Sequence, residues 1–208
     1  MKELFTIGHS SHSLERFLEL LASQGISAIA DVRSDPYSKY SPQYNKDVLE
    51  RSFIDAGIKY IFLGREIGAR RSEESCYIEG QVKFELIKEL PVFRAGLDRV
   101  LLEIDKYRVV LMCAEAEPLN CHRTILICRQ LRKIRHDLQI THILGNGATE
   151  SNEETEQRLV RLHKLQPELF GELTSMSNLI EQAYDLQAEK IAYKKVSTEQ
   201  SKSIITND

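Results

Sequence analysis

Five short runs rich in β-branched and aliphatic residues, each followed by a stretch with helical patterning, constrain this chain more than any other feature. The runs are "LFTIG" (4–8), "SAIADV" (27–32), "KYIFL" (59–63), "RVVLMC" (108–113) and "ITHIL" (140–144). Near-continuous apolar character suits strands covered on both faces, and the intervening helices supply the crossovers that parallel strands need. In "SLERFLELLASQG", Leu14, Phe17, Leu18 and Leu21 share one face and Gly25 marks a stop; "NKDVLERSFIDAG" repeats the pattern and stops at Gly57. Further helices are predicted over 92–105 and 121–136. The reading is an α/β chain: a Rossmann-like three-layer sandwich with an open, mainly parallel sheet of about five strands and a C-terminal helical extension.

Boundaries follow from composition. The Rossmann-like domain is expected over 1–148, a helical extension packed on it over 149–195 with a break near Pro167 and Gly171, and a disordered tail over 196–208. The extension is expected to pack on the domain or to mediate a homodimer. A glycine- and charge-bearing segment between the third and fourth strands, "GREIGARRSEESCYIEGQVKFELIKELP", is too long for a turn and reads as a lid. No apolar run approaches the roughly 20 residues that span a bilayer, so a soluble, cytoplasmic protein with no membrane partner is expected.

In open parallel sheets, ligands bind beyond the carboxyl ends of the strands, where loops converge and helix N-termini present free N–H groups. All five loops at that edge are polar: "GHSSHS", "DVRSDPYSKYSPQ", "GREIGARR", "CAEAEPLNCHR" and "GNGATES". Connections at the opposite edge, such as "SQGIS" and "DAGIK", are short and chemically plain. His9 and Ser10 are expected beside Asp31 and Arg33, on the premise that consecutive strands are neighbours.

Four cysteines lack the regular spacing of a secreted disulfide framework. Cys113 ends a buried strand and reads either as a small core residue or as a reactive group. Cys121 stands near a helix start beside His122 and Arg123, surroundings that lower a thiol pKa. A phosphatase-type loop is absent, because the sixth residue after Cys113 is Leu119 rather than arginine. Cys113, Cys121, His122 and Cys128 are soft ligands, but no CxxC pair exists and Cys128 lies within the helix, so neither a metal nor a cofactor is expected. Glu115 has no structural explanation and reads as a general base or as the group that orders His122. Arg123, in a first helical turn, opposes the helix dipole and is expected to hold an anion or a carboxylate such as Glu115.

The segments "TIGHSSHSLERFLELL", "DVRSDPYSKYSPQYN", "CAEAEPLNCHR" and "THILGNG" with "EETEQRLVRL" together resemble the family known as domain of unknown function 488, in order and over roughly residues 4–165. The resemblance implies a Rossmann-like fold and a role in nucleic-acid processing or defence. Its motif positions are His9, Ser10, Asp31, Arg33, Pro36, Ser38, Cys113, Glu115, Cys121, His122 and Arg123. The family usually carries Leu-Gly-Gly after the third strand; here Ile67, Gly68 and Ala69 stand there, which questions a close backbone contact at Ala69.

The leading expectation is an enzyme acting on nucleic acid or nucleotides through a phosphate-binding cleft at the carboxyl edge of the sheet. Ser10, Arg33, Ser38, Arg70 and Arg123 would bind phosphate or substrate, while His9, Asp31, Glu115, Cys121 and His122 would carry the chemistry. One alternative is a non-catalytic nucleic-acid-binding module, in which the arginines and the basic 121–136 helix dock a backbone. The other is a thiol-dependent transfer or redox protein, against which the absence of CxxC counts. A net charge of −3 supplies no general attraction to phosphate.

Overall fold

The computed structural model describes residues 2–166 and 175–195. Its elements, in chain order, are β1 (Glu3–Gly8), α1 (Leu14–Ser23), β2 (Ala28–Asp31), α2 (Lys46–Asp55), β3 (Lys59–Phe62), α3 (Gly64–Ile67), β4 (Tyr77–Ile78), β5 (Gln81–Val82), α4 (Phe84–Ile87), α5 (Pro91–Ile104), β6 (Val109–Cys113), α6 (Arg129–Ile134), β7 (Gln139–Ile143), β8 (Thr149–Ser151), α7 (Asn152–Leu162) and α8 (Met176–Ile191). All five predicted strands form. They join in the order β3-β2-β6-β1-β7, all parallel, and the short β8 adds antiparallel to β7. The result is a mixed α/β sandwich with a six-stranded, mostly parallel sheet.

Side-chain alternation along the strands divides the core into two layers. On β6, Val109, Leu111 and Cys113 pack with α5, α6 and the C-terminal helices, whereas Val110 and Met112 pack with α1 and α2. On β1, Leu4 joins the first layer, while Phe5 and Ile7 join the second. This parity assigns each strand-end residue to a face of the sheet.

Local chemistry explains the helix boundaries. The Ser13 side chain accepts the Arg16 N–H at the start of α1, and the turns after α1 and α2 place Gly25 and Gly57 at φ +63° and +70°, where glycine carries no Cβ penalty. Ser151 and Glu154 form a reciprocal capping box on α7.

Three expectations change. The predicted neighbours β1 and β2 are separated by β6, because the chain returns to fill the gap its first crossover left. The predicted helix over 121–136 opens as a π-helical stretch (Arg123–Cys128) before α6, a wide turn that is frequent at functional sites. The segment read as a lid is tied into the core: Ile67, Cys76, Val82 and Ile87 are fully buried. The expected break near Pro167 and Gly171 and the expected tail over 196–208 lie outside the described residues. α8 buries Leu179, Ala183 and Tyr184 against its own chain, so that face is spent internally. No helix among the described residues is long and apolar enough to cross a membrane.

Candidate active site

A cavity of about 230 Å³ opens at the carboxyl edge of the sheet. The loop after β2 contributes Arg33 and Ser34, the loop after α3 contributes Ala69 and Arg70, and the loop after β6 contributes Cys113, Glu115 and His122. Asp35, Phe84 and Asn120 also line it, and one part of the wall was not legible in the sequence. Ile191 and Tyr193 close it from the end of α8, held there because the Val82 N–H donates to the Tyr193 carbonyl at 2.9 Å.

The loop after β6 is braced from three directions. Gly8 lies so close beneath it that a Cβ there would stand 1.8 Å from the Glu115 carbonyl oxygen. Gln187 of α8 donates to the Leu119 carbonyl at 2.7 Å, and Arg158 of α7 pairs with Glu117 at 2.8 Å. Arg123 is fully buried beneath the loop and donates to the carbonyls of Glu115 (2.5 Å) and Ala116 (3.2 Å). Its guanidinium thus grips loop backbone rather than the Glu115 carboxylate, and it does not reach the cavity wall. Behind it, Arg123 Nε donates to Thr6 Oγ1 at 3.4 Å, Thr6 contacts His142 Nδ1 at 2.8 Å, and His142 Nε2 contacts Asn152 at 3.2 Å. Thr6 and His142 look like ordinary strand residues in the sequence; only their placement side by side on β1 and β7 makes them a buried polar relay.

The thiols meet on the first-layer side. His122 Nε2 donates to the Val32 carbonyl at 3.1 Å, which turns Nδ1 toward Cys113 Sγ at 3.7 Å and Cys121 Sγ at 3.9 Å. Cys121 Sγ lies 3.0 Å from Glu115 Oε2 and receives the Arg123 backbone N–H at 3.5 Å. Ligand-type atoms of Cys113, Glu115, Cys121 and His122 all lie within 4.8 Å of one another. Burial alone would push the Cys121 thiol up, but a hydrogen bond from Cys113 and the positive charge of Arg123 and His122 hold it well below the ordinary thiol range. Donation to Cys121 and burial hold Cys113 well above that range. Desolvation and the neighbouring sulfur raise Glu115 above ordinary carboxyl groups. Cys121 is only 1% exposed, and the sulfur-bearing residue on the cavity wall is Cys113.

His9 and Asp31 belong to the other layer. Asp31 is fully buried, accepts Arg33 Nε and Nη2 at 2.9 and 2.6 Å, and takes the Tyr60 hydroxyl at 2.8 Å. His9 stacks on Tyr44 with centroids 4.1 Å apart, donates from Nδ1 to the Ser10 carbonyl at 3.0 Å, and presents Nε2 to Arg33 Nη1 at 3.5 Å. Arg33 therefore joins the two groups: its guanidinium is held between Asp31 and His9, and the residue lines the cavity. Ser10 (φ +48°) forms the turn, its N–H donating to the Ala114 carbonyl. The Ser38 hydroxyl accepts N–H groups from Tyr40 and Ser41 and lies away from the cavity wall, while Ser34, which the sequence reading passed over, accepts the Arg70 N–H at 2.9 Å. At Gly68 a Cβ would meet the Gly64 carbonyl at 2.3 Å, so the essential glycine of this loop is retained; Ala69 packs half-buried on the wall.

Both buried neutral histidines predict acid sensitivity. Burial lowers His9 and His142 to about 4 from 6.5. The unfolded chain takes up these protons first, so stability falls as pH drops from about 6.5 toward 4, by on the order of a few kcal/mol. Urea midpoints measured from pH 7.5 to 5 should decline, and a His9→Gln/His142→Gln double variant should flatten that slope. An unchanged slope in the double variant would show that burial does not depress the pKa of these histidines in the native state.

No curated protein and no solved structure matches the chain. The family model described as domain of unknown function DUF488 matches residues 13–129, a span that holds Arg33, Arg70 and the whole loop after β6 but neither His9 nor the C-terminal helices. That match covers more than half of the chain, which therefore belongs to the DUF488 family.

Proposed function

We propose that the chain is an enzyme acting on a small phosphate-bearing substrate of the mononucleotide class, bound in the cavity at the carboxyl edge of the sheet. The observation that carries this reading is the pairing, in one cavity, of a cation without a carboxylate partner and a cluster of proton-transferring groups. Arg70 lies over the Tyr193 ring at 5.0 Å and makes no ion pair among the described residues. Arg33, held by Asp31 and His9, lines the same cavity, together with Asp35, Cys113, Glu115 and His122. In this reading Arg70 and Arg33 hold the phosphate, Glu115 and His122 move protons, and Asp31 and His9 position Arg33. Arg123 holds the loop that carries Glu115.

The nucleic-acid-docking alternative loses its main support in the ion pairs of α6. Arg129 pairs with Glu181 and Asp185 at 2.7 Å, Lys133 with Glu181 at 2.6 Å, and Arg132 with Glu153. A helix whose cations are already neutralised by its own chain releases few counterions from a nucleic-acid backbone. Thiol-dependent transfer keeps one favourable observation, the Cys113 side chain on the cavity wall facing His122.

The test is a titration of phosphate, mononucleotides and short single and double strands. Mononucleotides should bind more tightly than oligonucleotides of equal phosphate concentration. Arg70→Ala should weaken that binding about 10-fold to 100-fold, the loss of one charge-assisted hydrogen bond, with thermal stability unchanged. Binding that is indifferent to Arg70, or confined to long duplexes, would sink the proposal.

A further inference from the structure

The cluster on the cavity wall has the composition of a metal centre. We infer that Cys113, Cys121 and His122, with Glu115 beside them, form a site for a thiophilic divalent cation of the zinc class. Two sulfurs, an imidazole and a carboxylate are the donor set that zinc prefers over magnesium or calcium, which take oxygen. Zinc–ligand bonds of about 2.0–2.3 Å imply roughly 3.3–3.8 Å between ligand atoms of a tetrahedron. The observed separations are 3.0 Å (Cys121 Sγ to Glu115), 3.7 Å (Cys113 Sγ to His122) and 3.9 Å (Cys121 Sγ to His122). All four donors lie within 4.8 Å of one another, so drawing them onto one ion takes side-chain shifts of up to about 1 Å.

The surroundings support it independently. A metal-binding histidine characteristically donates its second ring N–H to a carbonyl or carboxylate, which fixes the tautomer and aims the lone pair. His122 does so through Val32, leaving Nδ1 facing both sulfurs. Two thiolates, one carboxylate and a divalent cation sum to one net negative charge. Arg123, fully buried with its backbone N–H on Cys121 Sγ, supplies the offsetting positive charge. The Cys113 and Cys121 residues are 3% and 1% exposed, whereas Glu115 lies at the cavity mouth. Glu115, the exposed member of the four, offers an exchangeable position toward the cavity, which distinguishes a catalytic metal site from a closed structural one. Spacing concealed the site, because seven residues separate the two cysteines in "CAEAEPLNC". A strand end and a helix start, brought together by the returning loop, replace the usual CxxC.

The inference deepens the proposed reading by supplying a Lewis acid; it makes His122 a ligand instead of a proton carrier and leaves proton transfer to Glu115 at the exchangeable position, and it rests on that reading only for what the cation would act upon. It is tested without substrate. Reduced full-length protein, stripped with a chelator, is titrated with zinc against a chromophoric competitor and with cobalt. One ion per chain should bind, with the thiolate-to-cobalt charge-transfer absorption of a tetrahedral centre. Cys113→Ser, Cys121→Ser and His122→Gln should each weaken zinc binding by more than the roughly 10-fold to 100-fold that loss of an outer partner costs, and Glu115→Gln by less. Cys76→Ser and Cys128→Ser should bind as wild type does. If a ligand variant fails to fold, the wild-type chain still decides: bound zinc should shield Cys113, the thiol on the cavity wall, from alkylation. Zinc binding no tighter in wild type than in the Cys113→Ser/Cys121→Ser double variant, or no shielding, overturns the metal site. The Arg70→Ala phosphate titration reports on the cavity whichever way the metal result falls.

Discussion

Arg123→Met is expected to lower the folding free energy by about 3–5 kcal/mol, a large part of the roughly 5–15 kcal/mol that holds a domain together. The size follows from what the side chain does. Arg123 is fully buried and its guanidinium satisfies the Glu115 and Ala116 carbonyls and touches Thr6. Methionine fills most of the volume but supplies no donor, so two loop carbonyls lose their partners in a dry environment and the anionic character of the nearby sulfurs loses its counter-charge. The urea midpoint should fall with an unchanged slope. Arg70→Met, at an exposed position, should leave that midpoint within about 0.5 kcal/mol of wild type. If instead Arg123→Met keeps full stability and loses only anion affinity, Arg123 faces ligand and the cavity has been assigned the wrong cation.

Glu115→Gln should reduce turnover about 10²-fold to 10⁴-fold while leaving substrate affinity near wild type or tighter. A carboxylate at the mouth of an anion site repels the phosphate it admits, so a group kept there must act on protons or on a cation rather than on binding. The structure also separates this effect from folding. Because Arg123 holds the Glu115 carbonyl and not its carboxylate, the amide leaves the loop's anchoring intact. The readout is paired: a binding isotherm for a mononucleotide and a turnover assay on the substrate a screen identifies. Equal losses of affinity in Glu115→Gln and Arg70→Ala, with turnover per bound substrate unchanged, would withdraw Glu115 from the chemistry.

Much of this is legible in the sequence. Five apolar runs and the glycines that close α1 and α2 dictate a parallel α/β sheet, since strand and helix periodicities are local properties of the chain. The polar loops at one edge also marked where a cavity would form. Alternation also bears on His9: Phe5, Ile7 and His9 share a parity that places His9 in the layer of Tyr44, away from Cys113.

The rest depended on contacts between residues far apart in sequence. Strand order is set by how crossovers pack, so the insertion of β6 between β1 and β2 is invisible to periodicity. Two arginines expected alike to bind phosphate part company for the same reason. Arg123, at a helix start, points into the protein because Gly8 lets the loop carbonyls close over it, while Arg70, in an irregular segment, stands free at the cavity. Tyr193 becomes cavity wall only because the chain beyond α8 pairs with the hairpin of β4 and β5. Local sequence by itself determined the five parallel strands, the helices α1 and α2, and the edge of the sheet that carries polar chemistry. Tertiary packing decided which of those polar groups share a cavity, because whether a charge is spent on a neighbour or left for a ligand is a property of the folded surroundings and of no residue alone.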